Sequence, residues 1–229
     1  MLQTIIFDMD GTLFQTDKIL EASLEETFDW LRSDGRWAGE TPLAQYRRIM
    51  GVPLPKVWET LLPGQTEELR SRVDVYFLQS LVRSIEAGKG ALYPYVEEML
   101  AGLKKAGCSL FIASNGLVPY LQAIVSHYRL DRWITETFSI EQIQSLNKSD
   151  LVKEILLKYG VAEGAVVGDR LSDIRAAKEN GLTAIGCRFD FAQDEELAQA
   201  DLVIHDFVEL KALVELLRQG AGSWVGQAE

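Results

Sequence analysis

The sequence predicts an α/β fold: a doubly wound parallel sheet with an all-helical segment inserted after its first strand. Three observations carry that reading. Short, β-rich apolar runs recur along the chain, and most are followed by residues with helical apolar spacing. These runs are apolar throughout rather than alternating, as strands covered on both faces are. Between about residues 14 and 88 no such run occurs, and helical spacing takes over.

Gln3 to Phe7 reads as the first strand. Asp17 to Ser33 follows as an amphipathic helix with Leu20, Leu24, Phe28 and Leu31 along one side. Leu43 to Met50 and Val57 to Leu61 are shorter helical pieces, and Glu67 to Ala87 is a long one, with Leu69, Val73, Tyr76, Phe77 and Leu81 at near-helical spacing. Gly51, Pro53, Pro55, Pro63 and Gly64 punctuate this stretch, and Gly88-Lys89-Gly90 is a plausible hinge back to the sheet. Beyond it, helices are expected at Tyr95 to Lys105, Val118 to His127, Ser149 to Tyr159, Ser172 to Asn180 and Val208 to Arg218. Strands are expected at Cys108 to Ala113, Ile134 to Ser139, Ala165 to Gly168, Leu182 to Ile185 and Leu202 to Ile204. Gly107, Gly160 and Gly181 each fall just after a helix, where a left-handed cap is expected. The Gly-rich tail, Gly220 to Glu229, is expected to fray.

At 229 residues the chain suits one large domain or two small ones, and an apolar fraction of 47% is enough for a sizeable core. A net charge of −11 argues against nucleic acid or an anionic membrane as partner, since both select basic surfaces. It leaves a phosphate substrate open, because a divalent cation and a few local donors can reverse the field within one cleft. Cys108 and Cys187 lie in apolar stretches without CxxC spacing and read as buried reduced thiols of a cytoplasmic protein. His127 and His205 lie far from them and from each other, so no zinc site is expected. Only Met1 to Thr4 precede the first apolar run, with no basic n-region or cleavage site, so no secretory segment is expected. No apolar run reaches the roughly 20 residues of a membrane helix.

Four motifs carry chemistry. Asp8-Met9-Asp10-Gly11-Thr12-Leu13 puts two carboxylates two residues apart at the end of a buried strand, where open α/β sheets form their sites. A nucleophile beside an acid/base is what phosphoryl transfer through a covalent intermediate requires. Gly11 permits a tight turn that the Thr12 hydroxyl can hold; the competing reading is a mere Asp-Gly turn. Ser114-Asn115-Gly116 follows another strand and could donate to anionic oxygens, or could simply cap a helix. Lys148 stands just before a helix, where a cation could neutralise a phosphoryl group and the attacking aspartate, or be an ordinary surface lysine. Lys153 is a rival inside that helix. Asp169 ends a further strand and Asp173 follows four residues later; oxygen ligands without Cys or His suit Mg²⁺, while an N-cap with a first-turn carboxylate is the alternative.

In their order and placement the four motifs resemble the signature of the haloacid dehalogenase-like (HAD) hydrolases, whose first motif reads D-x-D-G-T-[LV]. The likeness covers essentially the whole chain, and the pattern looks nearest to phosphoglycolate-phosphatase-like members. It implies a Rossmann-like core formed by 1–14 and 89–229, with 15–88 as a type 1 helical cap. By similarity Asp8 would attack phosphorus to give an aspartyl-phosphate, and Asp10 would protonate the leaving oxygen and then activate water. Ser114, with N–H groups around Asn115, would hold a phosphoryl oxygen, and Lys148 would stabilise charge. Mg²⁺ would be held by Asp8, the Asp10 backbone carbonyl and Asp169, with Asp173 acting through water or by orienting the others. Aspartate at position 10 points to phosphomonoester hydrolysis or a mutase, because the dehalogenases, phosphonatases and P-type ATPases carry Tyr, Ala and Thr there. One departure is Ser149, where proline commonly follows the lysine.

Within the cap, Arg47, Arg48 and Lys56 flank the loop Gly51-Val52-Pro53-Leu54-Pro55 and could contact a second anionic group, against the alternative of solvated helix-face charges. Gly51 either belongs to a loop dipping into the cleft or caps a helix. Trp30, Trp37, Trp58 and Trp133 read as packing residues. The expectation is a cytoplasmic, Mg²⁺-dependent phosphatase acting on a small phosphorylated metabolite, with phosphoglycolate, a nucleoside monophosphate and a sugar phosphate all open. Its rivals are a phosphosugar mutase, a non-catalytic binding or regulatory protein on the same scaffold, and a receiver-type signalling domain. Monomer and homodimer are both open.

Overall fold

The computed structural model describes residues 3–218, among which six parallel strands form one sheet in the order β3-β2-β1-β4-β5-β6. They are β1 (Thr4–Phe7), β2 (Ser109–Ser114), β3 (Glu136–Ser139), β4 (Ala165–Gly168), β5 (Thr183–Cys187) and β6 (Leu202–Ile204). The chain runs outward from β1 through β2 to β3, crosses back to β4 on the other side of β1, and runs outward again. That reversal opens a crevice at the carboxyl ends of β1, β2 and β4. The tail from Gly220 to Glu229 lies outside the described residues.

Between β1 and β2 come α1 (Asp17–Ser33), α2 (Leu43–Arg48), α3 (Leu54–Leu61) and α4 (Glu67–Glu86). The long pair, α1 and α4, packs together through Leu20, Leu24, Phe28 and Leu31 and through Leu69, Val73, Phe77 and Leu81, all buried. Each such side chain contributes about 1.5–3 kcal/mol by leaving water. Thr66 caps α4 by accepting from the Leu69 N–H. α3 starts at Leu54, three residues before the expected Val57. The prolines read as breakers instead stand at its N-cap, Pro53, and in its first turn, Pro55, where the missing N–H has no helical partner to lose. The tryptophans pack as expected. Trp58 is buried and donates to Asp74, Trp30 stacks on Tyr76, Trp37 meets Phe28 edge-on, and Trp133 lies under Arg132.

The sheet is covered on both faces, and the strand period of two assigns the residues. Ile5 and Phe7 join one apolar cluster with α5 (Val96–Lys105), α6 (Val118–His127), α10 (Phe207–Arg218) and the inserted helices. Ile6, Phe111 and Val166 join the other with α7 (Lys148–Tyr159) and α8 (Leu171–Glu179). Gly107, Gly160 and Gly181 take positive φ after their helices. A short helix, α9 (Asp194–Leu197), carries no apolar period and was not foreseen. Cys108 and Cys187 are buried thiols outside any disulfide, and no described helix is long and apolar enough to cross a membrane.

Candidate active site

Asp8 follows β1 directly, and its N–H still joins the sheet by donating to the Val167 carbonyl at 2.9 Å. Its carboxylate therefore emerges at the crevice beside the end of β4. Lys148 is the first residue of α7, whose start is fixed by the Asn147 side chain accepting from the Ser149 N–H. Lys148 Nζ donates to Asp8 Oδ1 at 2.5 Å and pairs with Asp173 Oδ1 at 2.5 Å. All three side chains are 8% exposed or less. Lys153, the rival lysine, is exposed on α7.

Asp169 follows β4 and is fully buried. The Thr12 hydroxyl, expected to hold its own turn, instead crosses to Asp169 and donates to Oδ1 at 3.0 Å. Backbone bonds from Gly11, Leu13 and Phe14 hold the turn. Asp173 lies in the first turn of α8, where its Oδ2 accepts from the Arg170 N–H at 3.1 Å. It therefore caps the helix and faces Lys148 at once. Two glycines make room for these carboxylates. Gly11 has φ +74°, and a Cβ on it would lie 2.6 Å from Asp169 Oδ2. A Cβ on Gly168 would overlap the Asp173 carboxyl group.

Asp8, Asp169 and Asp173 offer oxygens within 4.8 Å of one another, with one lysine to balance them. Burial lifts the Asp8 pKa to about 7, against the pull of Lys148 and helped by Asp173 and Asp10. Burial, then the charges of Asp8 and Asp173, holds Asp169 well above the usual carboxylate range. Burial would depress Lys148, but Asp173 and Asp8 outweigh it and raise the ammonium above its ordinary value. Asp169 Oδ2 is buried with no hydrogen-bond partner among the described residues. A divalent cation would fit this arrangement: it would supply the missing positive charge and meet hard oxygen donors that suit Mg²⁺, the orphaned Asp169 oxygen among them.

Asp10 stands apart from that cluster. Its Oδ1 accepts from Thr16 Oγ1 at 2.6 Å and from the Tyr120 hydroxyl at 2.5 Å, leaving its second oxygen unclaimed by either. Thr16 precedes α1 and Tyr120 sits in the first part of α6, so the insertion and the sheet domain both orient it. Burial raises the Asp10 pKa, and the two donors oppose the rise. Neither partner was foreseen. Tyr120 lies 110 residues from Asp10 and reaches it only through the packing of α6.

Ser114 ends β2, and its oxygen accepts from the Gly116 N–H at 3.0 Å, which leaves the hydroxyl proton free to donate elsewhere. The capping alternative fails here, because α6 begins after Leu117 with no side-chain cap. Asn115 Nδ2 donates to the Gly51 carbonyl at 2.6 Å. Next to it Arg170, paired with Glu196 of α9, donates to the Met50 carbonyl. The loop after α2 is thus pinned down onto the crevice, with Gly51 at φ +87° packed on Arg170. Of Arg47, Arg48, Gly51 and Lys56, Gly51 is the one the fold brings to the crevice. Arg47 pairs with Asp17 at 2.8 Å and Glu21 at 3.4 Å, Lys56 pairs with Glu59 at 2.9 Å, and Arg48 is exposed.

With this geometry in hand, comparison with known proteins is specific. The family model described as haloacid dehalogenase-like hydrolase matches residues 2–181. A 5'-nucleotidase of Pseudomonas aeruginosa is 25% identical over 93% of this chain and 94% of its own. A phosphoglycolate phosphatase of Mannheimia succiniciproducens is 24% identical over 91% of this chain and 96% of its own. The protein CbbY of Cereibacter sphaeroides is 26% identical over 94% and 97%. Among solved structures, CbbY from Rhodobacter sphaeroides in complex with phosphate superposes with a TM-score of 0.78 at 22% identity, covering 92% of this chain and 96% of that one. This last likeness speaks for the fold alone.

Proposed function

The chain belongs to the haloacid dehalogenase-like hydrolase family and is a phosphatase of that family, and from this premise we propose that it hydrolyses a small soluble phosphomonoester, with Mg²⁺, through an aspartyl-phosphate on Asp8. The observation that carries the reading is the buried Asp8–Lys148–Asp173 array, with a second acid, Asp10, two residues from the nucleophile. Asp8 attacks phosphorus, and the bond to the leaving oxygen breaks as Asp10 gives that oxygen its proton. Asp10 then takes a proton from water, whose oxygen attacks phosphorus. The Asp8–phosphorus bond breaks, releasing inorganic phosphate and restoring Asp8.

The Ser114 hydroxyl proton and the N–H groups near Asn115 hold a phosphoryl oxygen, and Lys148 offsets negative charge on the phosphoryl group and on Asp8. Asp8, Asp169 and the Asp10 carbonyl, which accepts no backbone bond among the described residues, would hold the cation, with Asp173 orienting them. Bound there, Mg²⁺ supplies charge neutralisation for the transferring group. Residues 15–88 act as a cap over a core of 1–14 and 89–229, closing the site to water during the first transfer. Two buried cysteines that form no disulfide fit a reducing, cytoplasmic setting.

The test is phosphate release from a panel of phosphomonoesters, with Mg²⁺ and with chelator, running Asp8→Asn beside wild type. Release that needs Mg²⁺ and falls by about 10³-fold or more in the variant is expected. Wild-type turnover in Asp8→Asn would sink the mechanism. Accumulation of a sugar bisphosphate in place of free phosphate would favour a mutase.

A further inference from the structure

Above Asp10, between the sheet domain and the inserted helices, lies a cavity of about 560 Å³ counting the solvent at its mouth. Asp10 is the one charged residue in its lining, so the cavity sits where a leaving group would sit while Asp10 protonates its oxygen. The remaining wall is mainly apolar, including Leu20, Val52, Leu54, Leu78, Leu81 and Leu117. No Lys, Arg or His lines it. Arg170, packed on Gly51 at the edge of this region, is held by Glu196 and by the Met50 carbonyl. Among the polar atoms of the wall, Asn115 Oδ1 is buried and has no partner among the described residues. It is an acceptor, suited to a hydroxyl or N–H on the ligand and not to an anion.

A carboxylate or second phosphate entering this space would lose its hydration, find no cation, and face Asp10. An apolar body would gain by leaving water. Resting on the phosphatase reading above, we infer that the preferred substrate is a phosphomonoester whose leaving group is uncharged and largely apolar, carrying at most a hydrogen-bond donor for Asn115. Esters with a second anionic group, such as phosphoglycolate or a sugar bisphosphate, are poor substrates. Specificity of this kind is a difference of affinities, and the unpaired charge is its repulsive element.

The experiment compares matched pairs with Mg²⁺: phenyl phosphate against 3-carboxyphenyl phosphate, and propyl phosphate against phosphoglycolate. In each pair kcat/KM is expected to be at least about tenfold higher for the neutral member, equivalent to about 1.4 kcal/mol. Leu54→Lys, which puts an ammonium at the cavity wall, is expected to narrow that ratio by lowering KM for the charged member. Val52→Lys, at a position 40% exposed and so tolerant of a long side chain, repeats the test if Leu54→Lys does not fold. Equal or faster turnover of the charged members would overturn the inference and leave the phosphatase reading standing. A ratio unmoved by the added lysine would place the leaving group elsewhere and overturn it too. Hydrolysis of none of the esters would overturn the phosphatase reading, and this inference with it.

Discussion

On the sheet side of the crevice, Asp8, Lys148, Asp169 and Asp173 are buried together, with three carboxylates facing one ammonium. On the insertion side Arg47 and Lys56 stay in contact with solvent, each beside a neighbouring carboxylate, and the wall turned to the crevice is apolar. The first region carries charge that is costly to bury and is held by strand ends, a helix cap and two glycines with no room for a methyl group. The second is held by ordinary side-chain packing. On the proposed function, chemistry would fall to the first region and selectivity to the second.

The sharpest way to break the contrast is Lys148→Ala. It leaves Asp8 and Asp173 buried without their cation and is expected to cost about 3–5 kcal/mol in chelator, measured by urea unfolding. Mg²⁺ should restore part of that loss. An unchanged midpoint would mean that the array is hydrated and not buried.

A smaller effect follows from the raised Asp8 pKa, which goes from 3.8 to about 7 on folding. The folded chain binds this proton more tightly than the unfolded chain does. Its contribution to stability is thus present below about pH 4 and lost as pH rises to about 7. In chelator, Asp8→Asn should gain in Tm relative to wild type across that window, by a few degrees, and the gap should level off above it. Added Mg²⁺ should shrink the gap. A gap that narrows as pH rises would contradict the charge imbalance.

The smallest effect is expected at Arg47→Ala. The Arg47–Asp17 pair is more than a third exposed on both sides, so its loss should cost no more than about 1 kcal/mol and leave kcat/KM within about twofold. A tenfold rise in KM confined to esters with a second anion would show that Arg47 reaches substrate when the inserted helices move.

Much of this was legible in advance. Short runs such as those around Ile5 and Val166 can be strands covered on both faces or nothing stable at all, and Gly107, Gly160 and Gly181 fixed where three of the helices ended. Asp8, Asp169 and Ser114 could be placed at the crevice in advance because a strand end fixes where its next residues go, whatever else the chain does. The reach of Thr12 to Asp169, of Tyr120 to Asp10 and of Arg170 to Glu196 was not legible, since each crosses between segments far apart in sequence. The prolines around Leu54 misled for a local reason: the same residue that breaks a helix inside is welcome in its first turn.

By itself the sequence determined the strand–helix order, the place of the insertion and the residue types at each strand end, because hydrophobic period and turn chemistry are local properties. Tertiary structure alone decided that Tyr120 and Thr16 aim Asp10, and that the wall beside Asp10 carries no cation. Those outcomes depend on how helices from distant parts of the chain pack over one sheet edge. No local pattern encodes that distance, because it is set by the summed packing of the apolar core and not by any one residue's neighbours in sequence.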